Sequence, residues 1–488
     1  MRVPDHTPVL VGVGVAAQRE DDWRQAKEPM GLMLDAVRAA GQDSGSASAL
    51  AGAQWIAVPR GRWTYTNPAG AIARAVGAGR ATTVLTSVGV LQQTLIGAAC
   101  QRIAAGEVHT ALVAGSDAGY RLLRAQMSEQ TAGEDTEQGA PDEYWEPAEE
   151  LRHPVERRAG LKMPVGLYAL LDSAYRHAQG LSVAEHCDAL ARLYAGFSRI
   201  AAANPHAWLR QELDADAIRE ASSRNPMQAF PYTRLHCASW NVDQASALLL
   251  CSAGRARELG IDPARWVFPW ASTESNHMLA LSARASLHDC VGARIAGQAA
   301  LDSAGLSAQD LDLVELYSCF PIAVLLYSQA LGLSTERELT LTGGMSFAGG
   351  PFNNYEFQST ARAAELLRAG HGRHALVSCV SGILTKQGFG LWGMTPPVDG
   401  FFHADLSDQV AAQTQVREVV DGYSGAAHVA ACTVLHGRGK TPRAMVLVDL
   451  PGGQRALATT ENEGWVARLQ QEEWVGRQVQ VADQQLLP

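Results

Sequence analysis

The sequence predicts an α/β protein made of two similar βα-layered halves, with a helical insert between them and a small β-rich domain at the C-terminus. Three observations carry that expectation. Short apolar runs alternate with helical patterns through most of the chain, which gives a mostly parallel sheet covered on both faces. One offset of 264 residues relates two regions: it pairs the helix stops Gly106 and Gly370, the strand residues Ala111, Leu112 and Val113 with Ala375, Leu376 and Val377, and Gly41 with Gly305. The texture also changes twice, to an acidic, proline-containing stretch at 133–150 and to alternating strands with glycine turns from about residue 405.

Residues 9–13 are a short apolar run ending in glycine, read as a buried strand, and the Ala/Leu/Met-rich segment 29–40 is a helix closed by Gly41. Strands at 54–58, 82–86 and 110–114 alternate with helices at 69–76 and 92–105. GEDTEQGAPDEYWEPAEE (133–150) is too charged for a core element and opens a surface insert over 120–240, with helices at 163–180, 183–204 and 217–224. The second half resumes with strands at 246–251, 266–269 and 311–317 and a helix at 287–304. Then comes the stretch that repeats the first half: a Gly-rich loop from Thr342, a helix with Ala361, Ala364 and Leu367 on one face, the stop at Gly370 and a buried strand at 375–378. Residues 395–397 close this core, and strands at 429–435, 444–450 and 455–459 with a helix near 465–471 are expected to form an open barrel. The domains follow as 1–119, 120–240, 241–400 and 405–488.

At 488 residues and 47% hydrophobic the chain can bury a large core. A net charge of −10 gives no electrostatic footprint for nucleic acid or an anionic membrane, so any anion site must be local. No apolar stretch reaches the ~18 residues of a membrane span, and the N-terminus has no basic region followed by an apolar one. Cytoplasmic residence is expected. Eight cysteines without a CxxC pair point to reduced thiols rather than a disulfide framework or a zinc site, and no metal is expected.

Four stretches carry a family resemblance: YSCFP (317–321), GGMSFAGGPFNNY (343–355), SCVSGILTKQGFG (378–390), and TVLHGRG (433–439) followed by AMVLVDL (444–450). With the duplication, they make the chain resemble the thiolase superfamily over essentially its whole length, and most closely the thiolase-like protein type 1 group. The resemblance implies a duplicated thiolase fold, coenzyme A or an acyl-CoA as ligand or substrate, and an acyltransferase of the acetyl-CoA acetyltransferase type in lipid metabolism.

It also implies a catalytic set that this chain keeps only in part. Near Gly89, where a thiolase carries its acyl-accepting cysteine, TSVGVLQ offers Thr86 and Ser87 but no sulfur. Gly350 stands at the histidine of GHP, Tyr317 stands at the polar residue of the oxyanion segment, and Cys319 matches the cysteine of its HDCF form. Cys379 keeps the cysteine of CxG, with Ser381 in place of the glycine. Cys379, Cys319 and Ser87 are therefore the catalytic candidates, with backbone N–H groups near Gly89 and Gly382 as oxyanion donors. Gly350, Asn353, Asn354, Arg157, Arg158 and Lys162 are the ligand-binding candidates, and Arg121, Arg124 and Arg152 are further cations of the insert. Each has a plainer alternative: the cysteines as buried hydrophobes, the asparagines as helix caps, the cations as a solvated face. His277 either enters the pocket or satisfies a nearby carbonyl. Two functions stay open. One is an acyltransferase or C–C bond enzyme with little ordinary thiolysis. The other is a non-catalytic CoA-binding protein that pairs with a second copy or a partner subunit through the core edge or the C-terminal domain.

Overall fold

A computed structural model of the chain describes residues 3–134, 139–147 and 153–487; Arg152 and parts of the acidic stretch lie outside them. In the first sheet, β1 (Pro8–Gln18), β2 (Trp55–Pro59), β3 (Thr82–Thr86) and β4 (Thr110–Ala118) are joined by β5 (Glu143–Trp145) and β6 (Asp243–Ser252), in the order β1-β6-β4-β2-β3-β5. Only β6 runs against its neighbours. It also corrects the expected division of the chain. Although it follows the insert, β6 fills the gap between β1 and β4, so the first half is completed by residues assigned to the second.

The second sheet repeats this plan with β7 (Phe268–Ser275), β8 (Leu313–Glu315), β9 (His374–Ser381) and β10 (Lys386–Gly393), in the order β8-β9-β10-β7, and adds β11 (Phe402–Asp405) beside β7. Strand β10 is the reversed one, as β6 is in the first sheet. The start of β9 lies 264 residues after that of β4. Helices α1 (Pro29–Asp43) and α3 (Val291–Ser303) cover the outer faces, while α2 (Gln92–Ala104) and α4 (Tyr355–Arg368) lie between the sheets. Leu95, Ile96 and Ala99 of α2 and Phe357, Ala361 and Ala364 of α4 share one core with Leu10, Val113, Val377 and Trp392 from both sheets. The result is five layers around a central helical one.

The C-terminal strands are β12 (Gly425–Leu435), β13 (Arg443–Asp449), β14 (Arg455–Thr460), β15 (Gln478–Ala482) and β16 (Gln485–Leu486). They close into a barrel rather than staying open. Strand β12 makes this possible: its first residues pair with β15, its later ones with β13, and a bulge between Val429 and Ala431 bends it between the two edges. The order β12-β13-β14-β16-β15-β12, with the helix Glu463–Gln471 between β14 and β15, is the connectivity of an OB-type barrel.

The insert holds the helices Pro164–Ala178 and Val183–Ala203; the third expected helix is only Ala215–Arg219. Its Met227–Ala229 strand extends the barrel sheet through Ala229 opposite Leu435. The guanidinium of Arg176, 2% exposed, forks onto Glu473 of the barrel at 3.0 and 3.2 Å, so insert and barrel pack as one unit. Among the described residues no helix is long and apolar enough to cross a membrane.

The outer edge of β3, one edge of the core, is covered by the chain itself. Strand β5 runs parallel along it from Val84 to Thr86, and the Ser87 N–H donates to the Trp145 carbonyl at 2.8 Å. Removing that cover leaves a row of unpaired donors and acceptors that templates association. The double variant Tyr144→Pro, Trp145→Gly is expected to shift the chain toward larger species than the parent in light scattering. A variant that keeps the parent mass at every concentration would contradict an edge-guarding role for β5.

Candidate active site

Helices α2 and α4 begin side by side at the centre of the molecule. The Gln92 side-chain oxygen accepts the Glu356 backbone N–H at 2.8 Å, and these two residues are 264 positions apart. Neither helix is capped by the side chain of its own N-cap residue, and apart from the Glu356 N–H held by Gln92 the first-turn N–H groups can face a ligand or a buried acid. Cys379 of β9 lies beside that place, near enough for the Gln92 and Gln93 N–H groups and the Glu356 carboxyl to act on its thiol. Both side chains are sealed, at 1% and 0% exposure.

Burial pushes the Glu356 carboxyl up to about 8, with the nearby Glu274 charge adding to it and the Cys379 and Gln93 contacts opposing it. Burial first, and then the Glu356 charge, also raise the Cys379 thiol well above the usual range. Glu274 is itself pushed up to about 7 by burial. It accepts from the Thr94 hydroxyl at 2.6 Å and the Asn276 amide at 3.2 Å.

Glu315 shapes the Gly-rich loop. Fully buried at the end of β8, it accepts from the Tyr355 hydroxyl at 2.6 Å, the Leu341 and Thr342 N–H groups at 2.5 and 3.0 Å, and the hydroxyls of Thr340 and Thr342. Tyr317 meets Tyr355 edge-on at 5.8 Å and is the half-buried group that faces Cys319, Cys379 and Glu356 together. Strain gathers in the two flanking loops, where Phe352, Ile383 and Leu384 have φ of 47°, 55° and 64°. A β-branched residue at positive φ, as at Ile383, is held there only by its surroundings.

Residues 273–346 match the thiolase C-terminal domain-like family, and residues 405–485 match the thiolase-like protein type 1 additional C-terminal domain. A monomeric SCP2-thiolase-like protein type 1 from Mycobacterium smegmatis superposes with a TM-score of 0.84 at 27% identity, covering 100% of both chains. The chain has the thiolase fold and resembles the thiolase-like protein type 1 group. An acetyl-CoA acetyltransferase from Methanocaldococcus jannaschii is 27% identical over 180 residues, 35% of this chain. The chain spans only 41% to 46% of the length of the curated relatives it matches. Human mitochondrial 3-ketoacyl-CoA thiolase in complex with CoA shares the fold, with a TM-score of 0.56 at 16% identity over 80% of this chain and 99% of that one.

Within the thiolase frame, the structure brings some of the expected residues together and separates others. Cys379 sits at the meeting point of the helices, and Cys319 lies across Tyr317, its thiol pushed up to about 12 by burial. Ser87 stands in the turn before α2, half-buried; among the described residues its hydroxyl has no hydrogen-bonded base. Pro147 closes over the same turn, its Cγ 2.9 Å from where a side chain on Gly89 would begin. At Gly350 a Cβ would stand 3.2 Å from Met345 and 3.3 Å from Ala238, so a side chain there is crowded.

Asn353 and Asn354 do not cap α4 through their side chains. Asn353 donates to the Arg60 carbonyl at 2.7 Å and Asn354 to the Ser246 hydroxyl at 3.3 Å, which pins α4 to the first sheet. The basic residues divide. Arg121 and Arg124 turn toward the N-terminal segment around Trp23 and Asp21, whereas Arg158 pairs with Asp421 and Lys162 lines a groove against the barrel. Arg157 lies in the same short helix as Arg158. His277 lines a separate cleft with Cys290 and Gln387. Glu315 and Glu356 were missed. Glu315 was legible as an acid inside an apolar strand, while Glu356 reads as an ordinary acid in a helix first turn.

Two substitutions test this geometry. Gly350→His overfills a packed site and is expected to cost about 1–3 kcal/mol in denaturant unfolding, without restoring thiolysis; a stable, thiolytic variant would refute the crowded-site account. Glu315→Ala strands the donors of the Gly-rich loop and is expected to cost roughly 3–5 kcal/mol. A loss under about 1 kcal/mol would show that the loop does not hang on Glu315.

Proposed function

We propose that the chain binds a CoA thioester and acts on it at Cys379, as an acyltransferase or C–C bond enzyme of the acetyl-CoA acetyltransferase type in lipid metabolism, in the cytoplasm. The observation that carries this reading is the thiol held where two helices begin, beside the Gln92 and Gln93 N–H groups. Such a place favours negative charge on a thiolate, or on the oxygen of a thioester as it becomes an enolate or tetrahedral adduct. The first-half site offers no equivalent. Among the described residues Ser87 has no hydrogen-bonded base, and it carries no sulfur, which argues against a route through an acyl group on that turn, each missing acid–base group being worth roughly 10²–10⁴-fold.

The ligand's phosphates need a local cationic patch on a chain of net charge −10. A groove of about 740 Å³ between insert and barrel gathers Lys162, Lys440 and Arg443 and supports placing the nucleotide end there, with Arg157 and Arg158 beside it. A second reading, a CoA-binding protein without turnover of its own that works with a partner through the barrel, is favoured by the sealed Cys379 and the crowded position at Gly350.

Calorimetry with CoA and a panel of short acyl-CoAs separates these readings from neither being right. Binding is expected, weakened at least ~10-fold, or ~1.4 kcal/mol, when Arg157→Glu, Arg158→Glu and Lys162→Glu are combined. Unaltered affinity would remove the phosphate assignment, and no binding at all would remove the function. Acetoacetyl-CoA thiolysis is expected near background. Cys379→Ala is expected to abolish any acyl-CoA-dependent turnover with CoA affinity unchanged; full turnover in that variant would place the chemistry elsewhere.

A further inference from the structure

We propose that the insert carries a docking groove for an amphipathic helix of a partner protein, laid along its Val183–Ala203 helix. The groove is a cavity of about 670 Å³ floored by that helix, with residues 212–215 and 335–339 as walls. Ala189, Leu193, Gly196 and Ile200 all line it, and each is only half-buried. Their steps of four, three and four residues are the a/d spacing by which one helix receives the side chains of another, along a seam of about 16 Å. Gly196 is the telling member. A glycine in the interior of a 21-residue helix weakens it, and outside its own helix an added Cβ would meet nothing within 4 Å. Nothing in this chain therefore needs a glycine there, whereas the close approach of a second helix does.

The groove is fixed before anything binds, which lowers the ordering cost of docking. Tyr194 stacks on Phe197 at 5.2 Å, the Leu213 N–H donates to the Ser198 hydroxyl at 2.9 Å, and the Arg337 guanidinium donates to the Ala308 and Leu311 carbonyls at 3.3 and 2.6 Å. Three features select a separate helix as the occupant. No strand borders the groove, so an extended segment finds no backbone ladder to join. The seam lies at the bottom of a concave surface, where the same seam of a second copy cannot reach it. Charge supplies the third feature: Glu212 and Glu336 on the walls and Arg192 on the floor helix make no ion pair among the described residues, whereas Arg199 already meets Glu338 at 3.7 Å. The partner helix therefore carries an apolar a/d seam, basic residues for Glu212 and Glu336, and an acid for Arg192. Its docking reaches the core by contact, because Phe197 and Ala201 pack on Gly344 and Gly343, and the 335–339 wall continues into the Thr340 and Thr342 hydroxyls that hold Glu315. CoA plays no part in this inference, which stands apart from the function proposed above.

The test uses the full chain and a designed probe: a fluorescein-labelled peptide of roughly 18 residues, with Leu at a and d, Lys along the flanks and one Glu for Arg192. Two control peptides either reverse every charge or carry a central proline that breaks the helix. The probe is expected to bind saturably at micromolar chain in fluorescence anisotropy, and each control at least tenfold more weakly. Gly196→Leu fills the seam with a better helix former and so keeps the fold; it is expected to weaken the probe at least tenfold with an unchanged circular dichroism spectrum. Glu212→Lys combined with Glu336→Lys is expected to weaken the probe as much and to make the charge-reversed peptide the tighter ligand. No saturable binding, equal affinity for the proline-broken peptide, or parent affinity in either variant overturns the proposal. It is overturned equally if the mass of the parent rises with concentration in light scattering and that of Gly196→Leu does not, because the seam then belongs to a second copy.

Discussion

Everything at the centre of this molecule depends on two helices starting at the same point. The bond from the Glu356 N–H to the Gln92 side chain ties the two halves of a duplication across their pseudo-twofold, and Cys379 is the side chain enclosed by it. Helix ends are where backbone donors go unpaired, so bringing two of them together inside a protein demands something anionic or readily made so. Here that demand is met by a thiol and a carboxyl. The central helical layer, the sheets that clamp it and the Gly-rich loop held by Glu315 all serve to keep this point fixed.

The duplicated plan was legible because its markers are covalent and local. A glycine that stops a helix and a strand buried on both faces leave the same signature in each half, so Gly106 and Gly370, with the strands after them, announced a repeat that the structure reproduces from β4 to β9. Strand β6 was misassigned because sequence order says nothing about which sheet a returning chain joins. Barrel closure was missed for a similar reason. A bulge at Val429–Ala431 is a matter of register, and no residue type there announces it.

At the site, sequence reasoning found the thiol but not its neighbours. Cys379 was visible through a motif, whereas Glu356 looked like any acid near a helix start, and only the fold shows that its carboxyl turns inward instead of toward water. Asn353 and Asn354, expected at a ligand, donate to Arg60 and Ser246 and hold α4 to the first sheet. The losses at the family's other positions are consistent with one another. Met345 and Ala238 crowd Gly350 and Pro147 covers the serine turn, so the proposed chemistry rests on Cys379 and its surroundings.

The claim that CoA thioesters are handled at this meeting of helices is tested most directly by hydrogen–deuterium exchange of the full chain with and without acetyl-CoA. Slowed exchange is expected in the peptides that carry residues 87–93, 352–358 and 379–385, which converge on Cys379 from three different elements. Protection confined to other surfaces, or none at saturating ligand, would contradict the account.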